Sequence, residues 1–170
     1  MEPAQIPTNE PKRLDVLRSL AILDSESDAG FDGLVELAKT LFDLPMVAVS
    51  LVDEQRQWFK ASIGLGVCET HREVSFCAHI VEKPKVMVVE DAMLDDRFYD
   101  NPLVTEEPFI RFYAGAPLRP VGDEVLGTLC VMHTRPRSFS DDEQQLLKLL
   151  AGQAEQLIQL HALRHKKEGN

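Results

Sequence analysis

The chain of 170 residues carries 28 acidic and 18 basic side chains, a formal net charge of −10, with 44% hydrophobic and 27% charged positions. That balance is that of one ordinary soluble globular domain with a sizeable core, and it excludes a disordered or fibrous chain. The acidic excess works against phosphate-backbone binding, and the longest apolar run, within Leu44 to Val52, is too short to span a bilayer, so neither nucleic acid nor membrane is an expected partner.

The first residues, Met1-Glu-Pro-Ala-Gln-Ile-Pro7, lack the basic and apolar regions of a secretory leader. Three cysteines, an odd number, argue against a disulfide framework and for a reducing, cytoplasmic setting. Residues 1–11 read as a flexible lead-in, 12–164 as one domain and 165–170 as a flexible tail. Pro11 suits a first helical turn, and Leu14, Leu17 and Ala21 then recur on one helical face. A second helix follows Ser25 or Ser27, either of which can cap it. Its stripe is Phe31, Leu34, Val35, Ala38, Leu41 and Phe42.

Met46 to Val52 is apolar at nearly every position, the pattern of a strand buried on both faces. Asp53-Glu-Gln-Arg56 turns the chain into a second strand over Gln57 to Ile63, ended by Gly64 and Gly66. Val74 to Val81 reads as a short helix and Val86 to Val89 as a strand. The long polar connection Asp91 to Glu107 is expected to carry a helical turn and to cover a pocket. Ile110-Arg-Phe-Tyr-Ala-Gly-Ala-Pro-Leu118 and Leu126-Gly-Thr-Leu-Cys-Val-Met132 flank a turn over Arg119 to Glu124 and predict an antiparallel hairpin. Its small residues, Ala114, Gly115, Ala116, Gly127 and Thr128, mark a place where a backbone or ligand comes close. Ser140-Asp-Asp-Glu143 is a capping box that opens a helix running to about Arg164. The helix carries two stripes. Leu147, Leu150, Ala154, Leu157 and Ile158 can pack on the sheet. Leu146, Leu149, Gln153, Leu160 and Leu163 are left for the first helix or for a second copy of the chain.

Taken in order, Leu44 to Asp53, Arg56 to Lys60, Val74 to Ile80, Asp91 to Phe98 with Asn101-Pro-Leu103, and the hairpin resemble a GAF domain, a sensory fold of bacterial signalling proteins, over residues 12–163. The resemblance implies an α/β (α+β) fold. A central antiparallel sheet would carry the terminal helices on one face, with the short helix and long loop over a pocket on the other. It implies a ligand cavity bordered by Ser75, Phe76, Cys77 and His79, by Arg97, Phe98 and Asn101, and by Phe112, Tyr113 and Thr128. It also implies a homodimer through the terminal helices and a downstream signalling partner. The ligand and any cofactor stay unnamed.

Cys68, His71, Cys77 and His79 offer four zinc-type ligands, but Cys77 and His79 project about 200° apart on a helix, so no metal site is expected. Ser75 and His79, four apart, can present a hydroxyl and an imidazole to one ligand, or His79 can bond a carbonyl or Asp91. Arg72, Arg97 and Arg111 can meet an anion or pair with neighbouring carboxylates, pairing being the expectation for Arg97.

Bilin-binding relatives place Cys directly before His, whereas here Ala78 separates Cys77 from His79. Cyclic-nucleotide-binding relatives carry a signature that Asp95-Asp-Arg-Phe98 and Asp100-Asn101 match only in fragments. Relatives that reduce free methionine sulfoxide share a motif resembling Gly66-Val-Cys68 but lack a counterpart here for their second cysteine motif. Cys77 and Cys130 read as inert thiols in apolar surroundings. The expectation is thus a binding module without catalysis. It is either stand-alone or part of something longer, and its guest lies in an enclosed hollow beneath residues 91–107. The alternative is an assembly scaffold whose own side chains fill that space.

Overall fold

The computed structural model describes residues 1–169. Six strands form one sheet: β1 (Met46–Val52), β2 (Arg56–Ile63), β3 (Glu69–His71), β4 (Met87–Val89), β5 (Phe112–Leu118) and β6 (Gly127–His133), in the order β3-β2-β1-β6-β5-β4. Every neighbouring pair is antiparallel. This is the expected mixed α/β architecture, with β3 added; three mostly polar residues gave no alternation from which to read it.

Successive side chains on a strand point to opposite faces, and the two cores follow from that alternation. Val47, Val49 and Leu51 face one core with Phe112, Ala114, Leu129 and Val131; α2 (Ala29–Phe42) and α5 (Asp141–Glu168) cover it. Met46, Ala48 and Val52 face the other with Tyr113, Cys130 and Met132, beneath α3 (Cys77–Glu82) and the 91–107 segment.

α1 (Glu10–Ser19) begins inside the expected lead-in and ends before Ala21, which takes a left-handed φ of 52°. Leu20 and Ile22 are buried there instead. Ahead of α1 the chain runs back along the molecule, with Glu2 N donating to Arg97 O (3.2 Å) and Gln5 N to Glu82 Oε2 (3.0 Å). Neither expected serine caps α2. Asp28 does, accepting from Gly30 N at 2.8 Å, because Ser25 is engaged with Ile22 O and Lys60 Nζ. Leu41, expected in the buried stripe, is exposed.

The capping box of α5 forms in full. The helix then continues through 165–168, beyond the expected boundary, while Asn170 lies outside the described residues. Its inner stripe is buried at Leu147, Leu150, Ala151, Ala154 and Ile158.

Two glycines are demanded by close approach. A Cβ on Gly127 would collide with the Ser50 carbonyl of β1, and one on Gly115 would meet Ile80 Cδ1 at 2.7 Å. The small residues of the hairpin thus admit protein backbone and α3, where the sequence also allowed a ligand.

Candidate functional site

The 91–107 segment is built from two short turns with side-chain caps. Asp91 caps the 3₁₀ turn Ala92–Leu94, accepting from Met93 N at 3.0 Å, and Asn101 caps α4 (Pro102–Thr105), accepting from Leu103 N at 2.8 Å. Asn101 Nδ2 also donates to Val74 O at 3.0 Å, so one buried amide ties this cover to the approach to α3.

Beneath it the space is largely filled. Phe76 stacks on Phe98 with ring centroids 4.0 Å apart and planes 6° apart, and tilts against Tyr113 at 5.1 Å. What remains is a cavity of about 30 Å³ with Phe76, Cys77, Tyr113, Cys130 and Met132 along its floor. Leu65, Val67, Leu103 and Pro108, all less buried than these, complete its apolar lining. A water needs roughly 10–15 Å³ of such space, so the expected enclosed hollow is reduced to room for one or two waters. Aromatic side chains that the sequence suggested as pocket walls pack on each other, because nothing polar between them demands separation.

The residues expected around the site do not all come together. Phe76, Cys77, Phe98, Tyr113 and Thr128 are buried on the same side of the sheet. Phe112 is not with them: strand alternation turns it to the helical face, where it packs on Phe139 at 5.5 Å. His79 and Arg97 do not line the cavity; they share a separate cleft with Glu2, Glu82 and Met87. The His79 ring meets Phe98 edge-on at 4.9 Å, and Nδ1 stands 4.0 Å from Glu82 Oε2. Burial first, then the Arg97 charge, holds the imidazole below its ordinary pKa.

Ser75 precedes the helix that was expected to contain it. Its Oγ donates to Gln57 Oε1 (2.8 Å) and accepts from Ala78 N (3.1 Å), so it has partners apart from those of His79. The three candidate arginines are engaged within the protein: Arg97 with Asp95 (2.8 Å), Arg72 with Glu10, and Arg111 with Val104 O (2.7 Å). Among the described residues no group of three His, Cys, Asp or Glu side chains could hold a metal ion, and Cys68 is exposed while Cys77 is buried.

The thiol environment differs from the apolar one expected. Cys77 Sγ accepts from Thr128 Oγ1 at 3.0 Å, lies 3.1 Å from Tyr113 Oη and 3.9 Å from Cys130 Sγ. Burial works to raise the Cys77 thiol, but its bonds with Cys130, Ser50, Thr128 and Tyr113 bring it down to about 7. Thr128 was expected to border a ligand cavity, and Ser50 stood unremarked within the β1 run. Their pairing across β1 and β6, with oxygens 3.3 Å apart, is a matter of register.

With this geometry in view, the comparisons with known proteins are informative. The sequence profile of the GAF domain matches residues 27–158. The chain belongs to the GAF domain family. It is 44% identical over 131 residues to the cyclic di-GMP phosphodiesterase PA2567 of Pseudomonas aeruginosa, a match covering 77% of this chain and 22% of that protein. The chain therefore spans about a fifth of the length of that relative.

Two solved structures share the GAF fold. The GAF domain of an Acinetobacter phosphoenolpyruvate-protein phosphotransferase has a TM-score of 0.64 at 23% identity, with 91% of this chain and 98% of that one covered. The free methionine-R-sulfoxide reductase of Neisseria meningitidis has a TM-score of 0.64 at 17% identity, with 98% of each chain covered. At these identities the two structures share the fold alone. A domain of a phosphotransferase and a reductase both use this GAF scaffold, so function has to be argued from surfaces and sites. No helix among the described residues is long and apolar enough to cross a membrane.

Proposed function

We propose that this chain is a regulatory GAF module that acts as a pair of copies joined through α2 and α5, with the space beneath its 91–107 segment closed by its own side chains. The observation that carries this reading is the outward face of α5. Gln145, Leu149, Gln153, Gln156, Leu160 and Leu163 are all exposed on it and none is charged, in a chain of net charge −10. Leu149 and Leu163 are 61% and 64% exposed. Leu37 and Leu41 of α2 are exposed as well. They stand seven and eleven residues after Gly30, the helical spacing of one face, and a side chain at Gly30 would touch Leu157 of α5. α1 leaves Leu149, Leu160 and Leu163 uncovered, so the intrachain alternative for the outer stripe is not realised at these positions.

An acidic protein meets its own copy at least electrostatic cost where charge is absent, and a helix of 28 residues, about 42 Å long, offers enough length for a stable interface. Under this reading the pair relays a change in one copy to an effector. Hydrolysis of cyclic di-GMP, the activity named for the Pseudomonas relative, is the effector function it would regulate. The free thiols suit a cytoplasmic setting.

Light scattering tests the pairing. Leu149→Gln with Leu160→Gln is expected to give a folded single chain, where the parent gives twice that mass. Equal masses for parent and variant would reject it.

A second reading, small-molecule sensing, is favoured by the apolar cleft between Val67 and Pro108. It requires the 91–107 segment and Phe76 to move aside, at the expense of a ligand that binds the open form better. Thermal shift against cyclic di-GMP and a metabolite panel distinguishes the readings: a midpoint rise of about 5 °C or more at saturating ligand supports sensing, and a flat panel supports the closed module.

A further inference from the structure

Closure of the space beneath the 91–107 segment brings two thiols into contact. Cys77 opens the first turn of α3 and Cys130 lies in the middle of β6; both are buried, and their sulfurs are 3.9 Å apart. A disulfide needs roughly 2.05 Å, so the sulfurs touch without being bonded, and rotation about each Cα–Cβ bond supplies movement on this scale.

The two sulfurs are not equivalent. Cys77 Sγ accepts from Thr128 Oγ1 at 3.0 Å, a donor that favours a thiolate, and Tyr113 Oη lies 3.1 Å from the same sulfur. Cys130 Sγ instead donates to the Ala48 carbonyl at 3.7 Å, so it keeps its proton. Electrostatics run the same way: burial works to raise the Cys77 thiol but its bonds bring it below the ordinary value, while Cys130 is pushed well above it, first by its bond with Cys77 and then by burial. One sulfur is prepared as a nucleophile and the other waits beside it.

The cavity of about 30 Å³ is lined by both Cys77 and Cys130. It is far smaller than a nucleotide or an amino-acid sulfoxide, but a molecule of two oxygen atoms fits it. Leu65, Val67, Leu103 and Pro108 also line it, and so apolar a lining suits a small uncharged oxidant better than a charged one.

We propose that Cys77 and Cys130 are a peroxide-responsive thiol pair that closes to an intrachain disulfide within the folded domain. The Cys77 thiolate attacks one oxygen of hydrogen peroxide. The O–O bond breaks, the departing hydroxide takes up a proton and leaves as water, and Cys77 becomes a sulfenic acid. Cys130 then gives up its proton and its sulfur attacks the Cys77 sulfur. The S–O bond breaks and the hydroxide released takes a proton to become a second water. In sum, two thiols and one peroxide give one disulfide and two waters: the sulfurs lose two electrons and the peroxide gains them. Thr128, which donates to the Cys77 sulfur, and Tyr113, whose hydroxyl touches it, are positioning residues. The cross-link joins α3 to β6 inside one chain, so it does not depend on the pairing of copies proposed above.

The test uses the full chain carrying Cys68→Ser, which removes the exposed third thiol. The folded protein is exposed to hydrogen peroxide, quenched in acid, alkylated in denaturant and digested without reductant. The expected product is a Cys77–Cys130 peptide pair lighter by two hydrogens and separated by dithiothreitol. With Cys130→Ala added, a dimedone adduct is expected on Cys77. Tyr113→Phe should slow cross-linking several-fold without changing the circular dichroism spectrum. Two results would overturn the proposal. One is that both thiols stay fully alkylatable after an exposure that oxidises the denatured chain. The other is that the cross-link forms only at the rate of global unfolding measured in the same buffer.

Discussion

Replacing Glu10 by Gln probes how the helical layer is fastened to the sheet. The Glu10 carboxylate accepts from Arg13 Nε at 2.8 Å and Nη2 at 2.9 Å, and from both terminal nitrogens of Arg72. Arg13 Nη1 donates to Val52 O (2.7 Å) and Arg72 Nη1 to Asp53 O (3.1 Å), so this buried triad pins α1 to the end of β1. Burial raises the Glu10 pKa, but the bonds and charges of Arg13 and Arg72 outweigh it and hold the carboxyl at about 2, against an ordinary 4.5. At about 1.4 kcal/mol per pH unit, that gap corresponds to about 3 kcal/mol of folding free energy.

The folded state binds this proton more weakly than the unfolded chain does. The contribution is therefore complete above pH 4.5 and disappears as the pH falls towards 2. Urea unfolding, followed by fluorescence of the buried Trp58, is the assay. Glu10→Gln is expected to lose about 3 kcal/mol at neutral pH, a midpoint shift of about 1.5 M, and the gap to the parent should narrow near pH 3. A gap below about 1 kcal/mol at neutral pH, or one that does not change with pH, would refute the ion-triad account.

Other consequences are equally measurable. Phe76→Ala removes the ring that fills the site and should cost about 3–5 kcal/mol in urea unfolding, while opening a hollow that takes up xenon or benzene; no uptake would mean that the site collapses around the change. Asn101→Ala loses the α4 cap and the bond to Val74 O, with an expected cost of about 1–2 kcal/mol and faster amide exchange over residues 91–107. Gly127→Ala drives a methyl onto the Ser50 carbonyl and should cost at least about 3 kcal/mol in the same titration, whereas a neutral result would contradict the close β1–β6 approach.

The parts of the fold that could be read in the sequence were those with strong local chemistry. The capping box at Ser140, the almost wholly apolar β1 run and the hairpin around Gly122 each carry their own explanation in adjacent residues, and each forms as read. What escaped reading depends on partners distant in the chain. Arg13 looks like a surface charge on an amphipathic helix until Glu10, Arg72 and the Val52 carbonyl gather around it. Asp28 displaces Ser25 as a cap because Lys60, on β2, claims the serine.

At the site, Phe112 and Tyr113 are adjacent in sequence and end on opposite faces; period-two alternation could have separated them. The stacking of Phe76 on Phe98 could not be read, since it sets how much space remains and depends on two side chains 22 positions apart (98 − 76). Polar company for Cys77 comes from β1, β5 and β6 at once, and its adjacent residues Phe76 and Ala78 give no sign of it.

Sedimentation equilibrium of the unmodified chain, at concentrations from well below to well above micromolar, puts the pairing of α2 and α5 faces to the most direct test. The account predicts a mass twice that of the 19.1 kDa chain, falling to the single-chain mass only on dilution or in the Leu149→Gln, Leu160→Gln variant. A single-chain mass throughout the range would contradict it.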